Sequence, residues 1–213
     1  IGRHIKLKYK NIPVEISETG IKVKKPFDFT DNEIYVRYFN DKINKEMSLS
    51  LLSYRDFEVF EKSKYYVTEV PMNTYHYYLV LSPIGNFFIN KNNTINSDIT
   101  EKFETTVILD GFLGINKEYY VIDLLYNKIS LLDKKFDERR GELIELNRMI
   151  LEDIEGINIQ NYYENIIEGS YSIVNSSSNY YLLFISDICC DNFLWSVVNI
   201  DDFITLQVIN KNK

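Results

Sequence analysis

The stretch Thr105–Asn147 reads TTVILDGFLGINKEYYVIDLLYNKISLLDKKFDERRGELIELN. Thr105–Leu109 is β-branched and apolar and stops at Asp110-Gly111, a turn-favouring pair. Tyr119–Tyr126 is a second aromatic and β-branched run, with Asp123 as its only charge. From Lys134 the hydrophobic period becomes helical. Phe136, Leu143, Ile150 and Ile154 follow at steps of 7, 7 and 4 and share one face, with Leu146 beside it. Asp133 is the expected N-cap. The stretch therefore predicts two strands and a helix.

Working outward, Tyr65–Val70, Tyr75–Ser82 and Asn86–Asn90 read as consecutive strands, with Pro83-Ile84-Gly85 turning between the last two. Ile34–Phe39 and Met47–Leu52 add strands, and Tyr54–Phe60 is ambiguous. Lys91–Ser97 reads as a polar loop, and 98–104 as a helix turn or an arm. Near the start, Ile5–Lys10 alternates with period two, and Val14–Ile16 and Ile21–Val23 flank a turn at Glu18-Thr19-Gly20. Downstream, Gly156 is expected to stop the helix and Gly169 to break the ambiguous segment Ile159–Ile167. Residues 175–179 read as a loop, followed by strands at Tyr180–Ile185, Phe193–Val198 and Phe203–Ile209. Strands outnumber helices, so the expected fold is α+β with largely antiparallel sheets. The expected layout is basic strands over 1–60 packed on a core over 61–213, within what can be a single domain.

The composition of the 213 residues, 45% hydrophobic and 26% charged, suits a chain that buries a full core. A net charge of −7 speaks against a nucleic-acid binder acting through overall charge. Only residues 1–25 are locally basic, through Arg3, Lys6, Lys8, Lys10, Lys22, Lys24 and Lys25. The two cysteines, Cys189 and Cys190, are adjacent and lack a CxxC partner, which reads as reduced thiols and a cytoplasmic setting. No apolar run approaches the roughly 20 residues of a membrane helix. His4 and His76 have no Cys or Asp at ligand spacing, so no metal site is expected. Trp195 reads as core or interface.

The order Leu109-Asp110-Gly111, a short loop, YYVIDLLY, about ten residues, then FDERRGELIEL resembles the third motif and following helix of covalent nucleotidyltransferases. That superfamily holds the mRNA-capping guanylyltransferases and the nucleotide-dependent DNA and RNA ligases. The resemblance covers about residues 60–207 and implies their core fold, here with no OB-fold module after it. It also implies an attack by a lysine amine on the α-phosphate of a bound nucleotide, with the lysine in Lys-x-Asp-Gly. The matching residues here are Glu69, Val70, Pro71 and Met72. A carboxylate cannot form the phosphoramidate, and no lysine lies between Lys64 and Lys91. The acid that follows Asp-Gly in the third motif is Phe112, and the Glu-Gly of the fourth is Asn179-Tyr180. The paired lysines of the fifth motif have no counterpart between Phe193 and Asn199. The frame resembles the family while its chemistry is missing, so no cofactor is expected.

Asp110, Arg139 and Arg140 remain candidate contacts for a nucleotide or phosphate. The plainer reading of the two arginines is salt bridging to Glu138 or Glu142 on a helix surface. Lys6, Lys8 and Lys10 are candidate RNA contacts, or a protected sheet edge. Three functions follow. The leading one is a non-catalytic guanylyltransferase-like subunit, a scaffold or cofactor for protein partners in an mRNA-capping or transcription assembly such as a large DNA virus carries. The second is a divergent enzyme using Lys91, Lys117 or Lys128. The third is an RNA-binding module built on the basic strands.

Overall fold

The computed structural model describes residues 3–6, 13–17, 20–23, 48–51, 58–83, 85–90, 94–176, 180–188 and 191–195. The expected strands Ile34–Phe39 and Phe203–Ile209 lie outside these residues, as do Cys189, Cys190, Lys8, Lys10, Lys91 and Asn179.

Strands β1 (Arg3–Lys6), β2 (Pro13–Ser17) and β3 (Gly20–Val23) form an antiparallel meander. The chain continues through β4 (Ser48–Leu51), the one-turn helix α1 (Val59–Lys62), β5 (Tyr65–Pro71), β6 (Thr74–Ser82), β7 (Gly85–Ile89) and β8 (Thr94–Asn96). Then come β9 (Val107–Gly114), β10 (Tyr119–Asn127), β11 (Ile129–Ser130), α2 (Phe136–Met149), β12 (Ile157–Ile159), α3 (Ile166–Ser176), β13 (Tyr180–Ser186) and β14 (Asp191–Trp195). The larger sheet has the order β11-β10-β9-β6-β7-β8, with β12 added parallel to β10. The smaller is β4-β14-β13-β5, with β4 parallel to β14. All other pairings are antiparallel. The fold is α+β, as the pattern of strands and helices predicts.

Alternation along the strands sorts the core. Leu79, Leu81, Leu109, Val121 and Leu124 on one face of the larger sheet pack against Leu143 and Leu146 of α2. Tyr65, Val67, Leu182 and Phe184 of the smaller sheet pack against Phe60 of α1 and Ile173 of α3. Between the sheets, Tyr66, Val70, Leu183 and Ile185 meet Phe112, Ile122 and Phe136. β5 is buried on both faces. It therefore leaves its sequence neighbour β6 at a tight turn, where Asn73 has φ 65°, and pairs with β13 instead.

Several local expectations give way to tertiary contacts. Asp110-Gly111 is no turn: it sits in the middle of β9, paired with Tyr78 and Tyr77 on one side and with Asp123 and Val121 on the other. Gly111 is needed there for space, because a Cβ would lie 2.4 Å from the Tyr120 carbonyl oxygen and 2.8 Å from the Tyr119 ring. The reversal comes later, where the Gly114 amide donates to Glu118 O and Lys117 adopts φ 68°. Helix α2 starts from Lys135, not from Asp133, and no side chain caps it; the Phe136 amide donates to Asp187 O at 2.8 Å. It ends at Met149, so Ile150 drops out of the buried stripe, while Ile154 is buried through a 3-10 turn at Leu151–Asp153. Gly156, at φ 84°, turns the chain into β12 rather than ending the helix. Gly169 breaks nothing: it lies inside α3, where a Cβ would come within 2.4 Å of Tyr163 Cβ and 2.6 Å of Val67 Cγ1. The 91–97 loop contains the short strand β8. Among the described residues, no helix is long and apolar enough to cross a membrane.

Candidate functional site

The face of the larger sheet that meets the smaller one carries two of the residues marked by the sequence, Asp110 and Phe112. Alternation along β9 puts Ile108, Asp110 and Phe112 on it. Phe112 is 3% exposed and packs with Ile122, Phe136 and the β5 and β13 side chains. Tyr66 and Tyr162 each stack 4.9 Å from the Phe136 ring. The space between the sheets is thus an aromatic core at the position after Asp-Gly.

Two carboxylates face each other across β9 and β10 beside this core, because Asp110 and Asp123 are register partners. Asp110 is 3% exposed and holds His76 Nε2 at 2.5 Å. His76 packs in turn on Tyr78 and Phe112. Asp123 takes Arg139 Nε at 3.0 Å on both oxygens and Nη2 at 2.7 Å, and its Oδ1 accepts the Leu124 amide at 2.8 Å. Arg139 Nη1 donates to Lys134 O at 2.6 Å. Burial pushes the Asp123 carboxyl up to about 6, against the pull of the Arg139 guanidinium. Arg139 is therefore bound to Asp123 and to the Lys134 carbonyl inside the fold rather than displayed on the helix surface. It is an interior cation 1% exposed. Arg140 is half-buried, with its guanidinium 4.8 Å from the Tyr162 ring centre. The signals for Arg139 were its step of three from Phe136 and four from Leu143, and Asp123 alone in an apolar strand.

Two lysines near this frame, Lys64 and Lys117, are poor nucleophiles. Lys64 precedes β5 and is half exposed; its amine lies 3.4 Å from Asp137 and 3.8 Å from Glu164. A hydrogen bond with the Tyr66 phenol, followed by these carboxylates, raises its pKa above the ordinary lysine value. Lys117 is exposed and paired with Asp98 at 2.6 Å, which also raises its pKa. Lys128 is exposed on a turn at φ 63°.

The motif positions on β5 and β13 do come together, but outside the inter-sheet core. Pro71 and Tyr180 are register partners, and Glu69 lies opposite Leu182. Glu69 and Tyr180 fall on the strand face shared with Tyr65, Val67 and Phe184, the one α3 covers. With Met72, Glu69 and Pro71 are at most half-buried. Glu69, Pro71 and Tyr180 line a cleft of about 390 Å³ at the seam of the two sheets. Its other walls are Glu118, just before β10, Tyr120 of β10, Ile173 and Ser176 of α3, and the strap 158–163. The strap ties the sheets together. Its first half pairs with β10, where Gln160 N donates to Val121 O at 3.0 Å. Its second half pairs with β5, where Tyr163 N and Val67 N exchange bonds with the opposite carbonyls at 2.9 and 3.0 Å. Burial raises the Glu69 pKa. Hydrogen bonds from Tyr120 and Asn116 lower that of Glu118. Lys6 is on β1, away in sequence from all of this. Among the described residues, no group of three or more His, Cys, Asp and Glu is placed to hold a metal ion.

No family model and no curated protein matches the chain. Among solved structures it is similar to a mycobacterial DNA ligase D complexed with ATP and MES, at 12% sequence identity and a TM-score of 0.48. The similarity covers 72% of this chain and 61% of the ligase chain, so this chain spans less than two thirds of that neighbour.

Proposed function

We propose that this chain is a catalytically inactive, nucleotidyltransferase-like subunit that serves as a scaffold or cofactor in an mRNA-capping or transcription assembly. The observation that carries the inactive part is Phe112, packed at 3% exposure into the core between the sheets beside Asp110, which holds His76, and Arg139, which holds Asp123. A triphosphate needs cations and a metal in that region. Here Arg139 is bound to Asp123 and His76 to Asp110, while Lys64 and Lys117 each face a carboxylate that favours the protonated amine. The acidic balance of −7 fits association with proteins better than with a nucleic-acid backbone. The assembly itself is inferred from the motif order in 105–147.

The test is covalent labelling. The chain is incubated with α-labelled GTP or ATP and Mg²⁺ or Mn²⁺, then denatured. The expected result is no radioactivity on the polypeptide. A label lost on a single Lys→Ala substitution would overturn the proposal.

A further inference from the structure

The seam cleft is distinguished by what lines it. Among the described residues, its walls hold two carboxylates, Glu69 and Glu118, and three phenol rings, Tyr120, Tyr163 and Tyr180, with no lysine, arginine or histidine. The strap adds amide side chains from Asn158, Gln160 and Asn161. Its volume of about 390 Å³ lies within the range of ligand-binding clefts, about 300–1,000 Å³. The Glu118 carboxylate is already oriented, accepting from Tyr120 Oη at 2.5 Å and from Asn116 Nδ2 at 2.7 Å. The Glu69 side chain has no hydrogen bond or ion pair among the described residues, and partial burial makes its charge costly to carry alone.

We propose that this cleft is a binding site for an arginine side chain presented by a basic segment of a protein partner. A polyanion is disfavoured, since it would meet two carboxylates and no counter-charge. A guanidinium suits both kinds of wall: its planar fork matches a carboxylate, and its face stacks on a phenol ring. A lysine ammonium lacks that stacking face and the bidentate geometry. The strap amides supply acceptors for the remaining N–H groups. This deepens the proposed scaffold role by naming the chemistry of the partner, and it rests on that reading for the partner's being a protein.

The experiment titrates the full chain with acetyl-Gly-Arg-Gly-amide, following tyrosine ring resonances, with the Gly-Gln-Gly analogue as neutral control. Saturable binding of the arginine peptide alone is expected. Loss of one partner of a desolvated charge pair predicts a drop in affinity of about fivefold or more for Glu69→Gln. Tyr180→Leu weakens binding in the same direction, and Glu138→Gln, an equal charge change on the exposed side of α2, leaves it unchanged. Thermal unfolding checks that each variant folds, and Glu118→Gln replaces Glu69→Gln if that variant does not. The inference is overturned by absence of saturable binding, by equal affinity for the neutral peptide, or by equal effects of Glu69→Gln and Glu138→Gln. A nucleotide label on a lysine would instead sink the inactive reading and leave this measurement standing.

Discussion

Arg139 and Asp123 are each about 1% exposed, so their pairing is a matter of electrostatics in a poor solvent. Each charge loses hydration on folding, and the compensation comes from three short contacts and from the Lys134 carbonyl. Removing one partner strands the other. Arg139→Met is expected to destabilise by about 3–5 kcal/mol at neutral pH. The pH dependence has a definite sign. Asp123 binds its proton at about 6 in the folded chain, above the unfolded value of about 3.9. Its contribution is thus complete below about pH 4 and lost as pH rises through about 6. Without the guanidinium the folded pKa climbs further, so the penalty of Arg139→Met is larger at pH 8 than at pH 5. Urea unfolding at the two pH values measures this, and an equal penalty at both would refute it. At this scale the sequence was half legible. Asp123 stood out as a charge in an apolar strand, and Arg139 sat at helical spacing from Phe136 and Leu143. Their union needed the packing of α2 on β10, which no local pattern specifies.

Elements behave according to what surrounds them, and two glycines show the difference. Gly141 lies on the exposed side of α2, and a Cβ there would meet nothing within 4 Å. Gly141→Ala is expected to stabilise by about 0.4–1 kcal/mol, by restricting the unfolded chain. Gly111 in β9 is the opposite case, since its Cβ would strike backbone at 2.4 Å. Gly111→Ala is expected to destabilise by about 1–3 kcal/mol. Thermal denaturation of both variants measures the contrast, and a loss at Gly141 would contradict its place on the open face of α2. The same pair explains which elements could be read in advance. α2 announced itself through periodicity. β9 was cut short at Asp110-Gly111 because a turn and a close-packed strand demand the same residue for different reasons. Gly169 misled in the same way, being the contact point of α3 on Val67 and Tyr163.

Two sheets share one interior. Tyr66, Val70, Leu183 and Ile185 from one interlock with Phe112 and Ile122 from the other, so the inner face of each sheet stays dry only against its partner. The body is expected to open as a unit. In hydrogen exchange, the amides of Val67, Gln160 and Tyr163, which span the seam, are expected to exchange as slowly as those in the centre of β9 and β10. Exchange of the seam amides at loop rates would show that the sheets part independently. The α+β class was legible from the count and pattern of strands. The partition of β5 and β6 between sheets was not. Their spacing in sequence suits a hairpin, and only the pairing of β5 with distant β13 decides otherwise.

Residues 157–163 tie the two sheets through main-chain bonds at Gln160 to Val121 and at Tyr163 to Val67, helped by the Tyr162 hydroxyl, which donates to Ile122 O. Substitution of the Asn158, Gln160 or Asn161 side chain leaves those tethers untouched. Asn158, Gln160 and Asn161, which look into the seam, are therefore free to diverge while the frame stays put. A lineage carrying this fold has a place to retune its recognition chemistry one residue at a time, at little risk to the ability to fold.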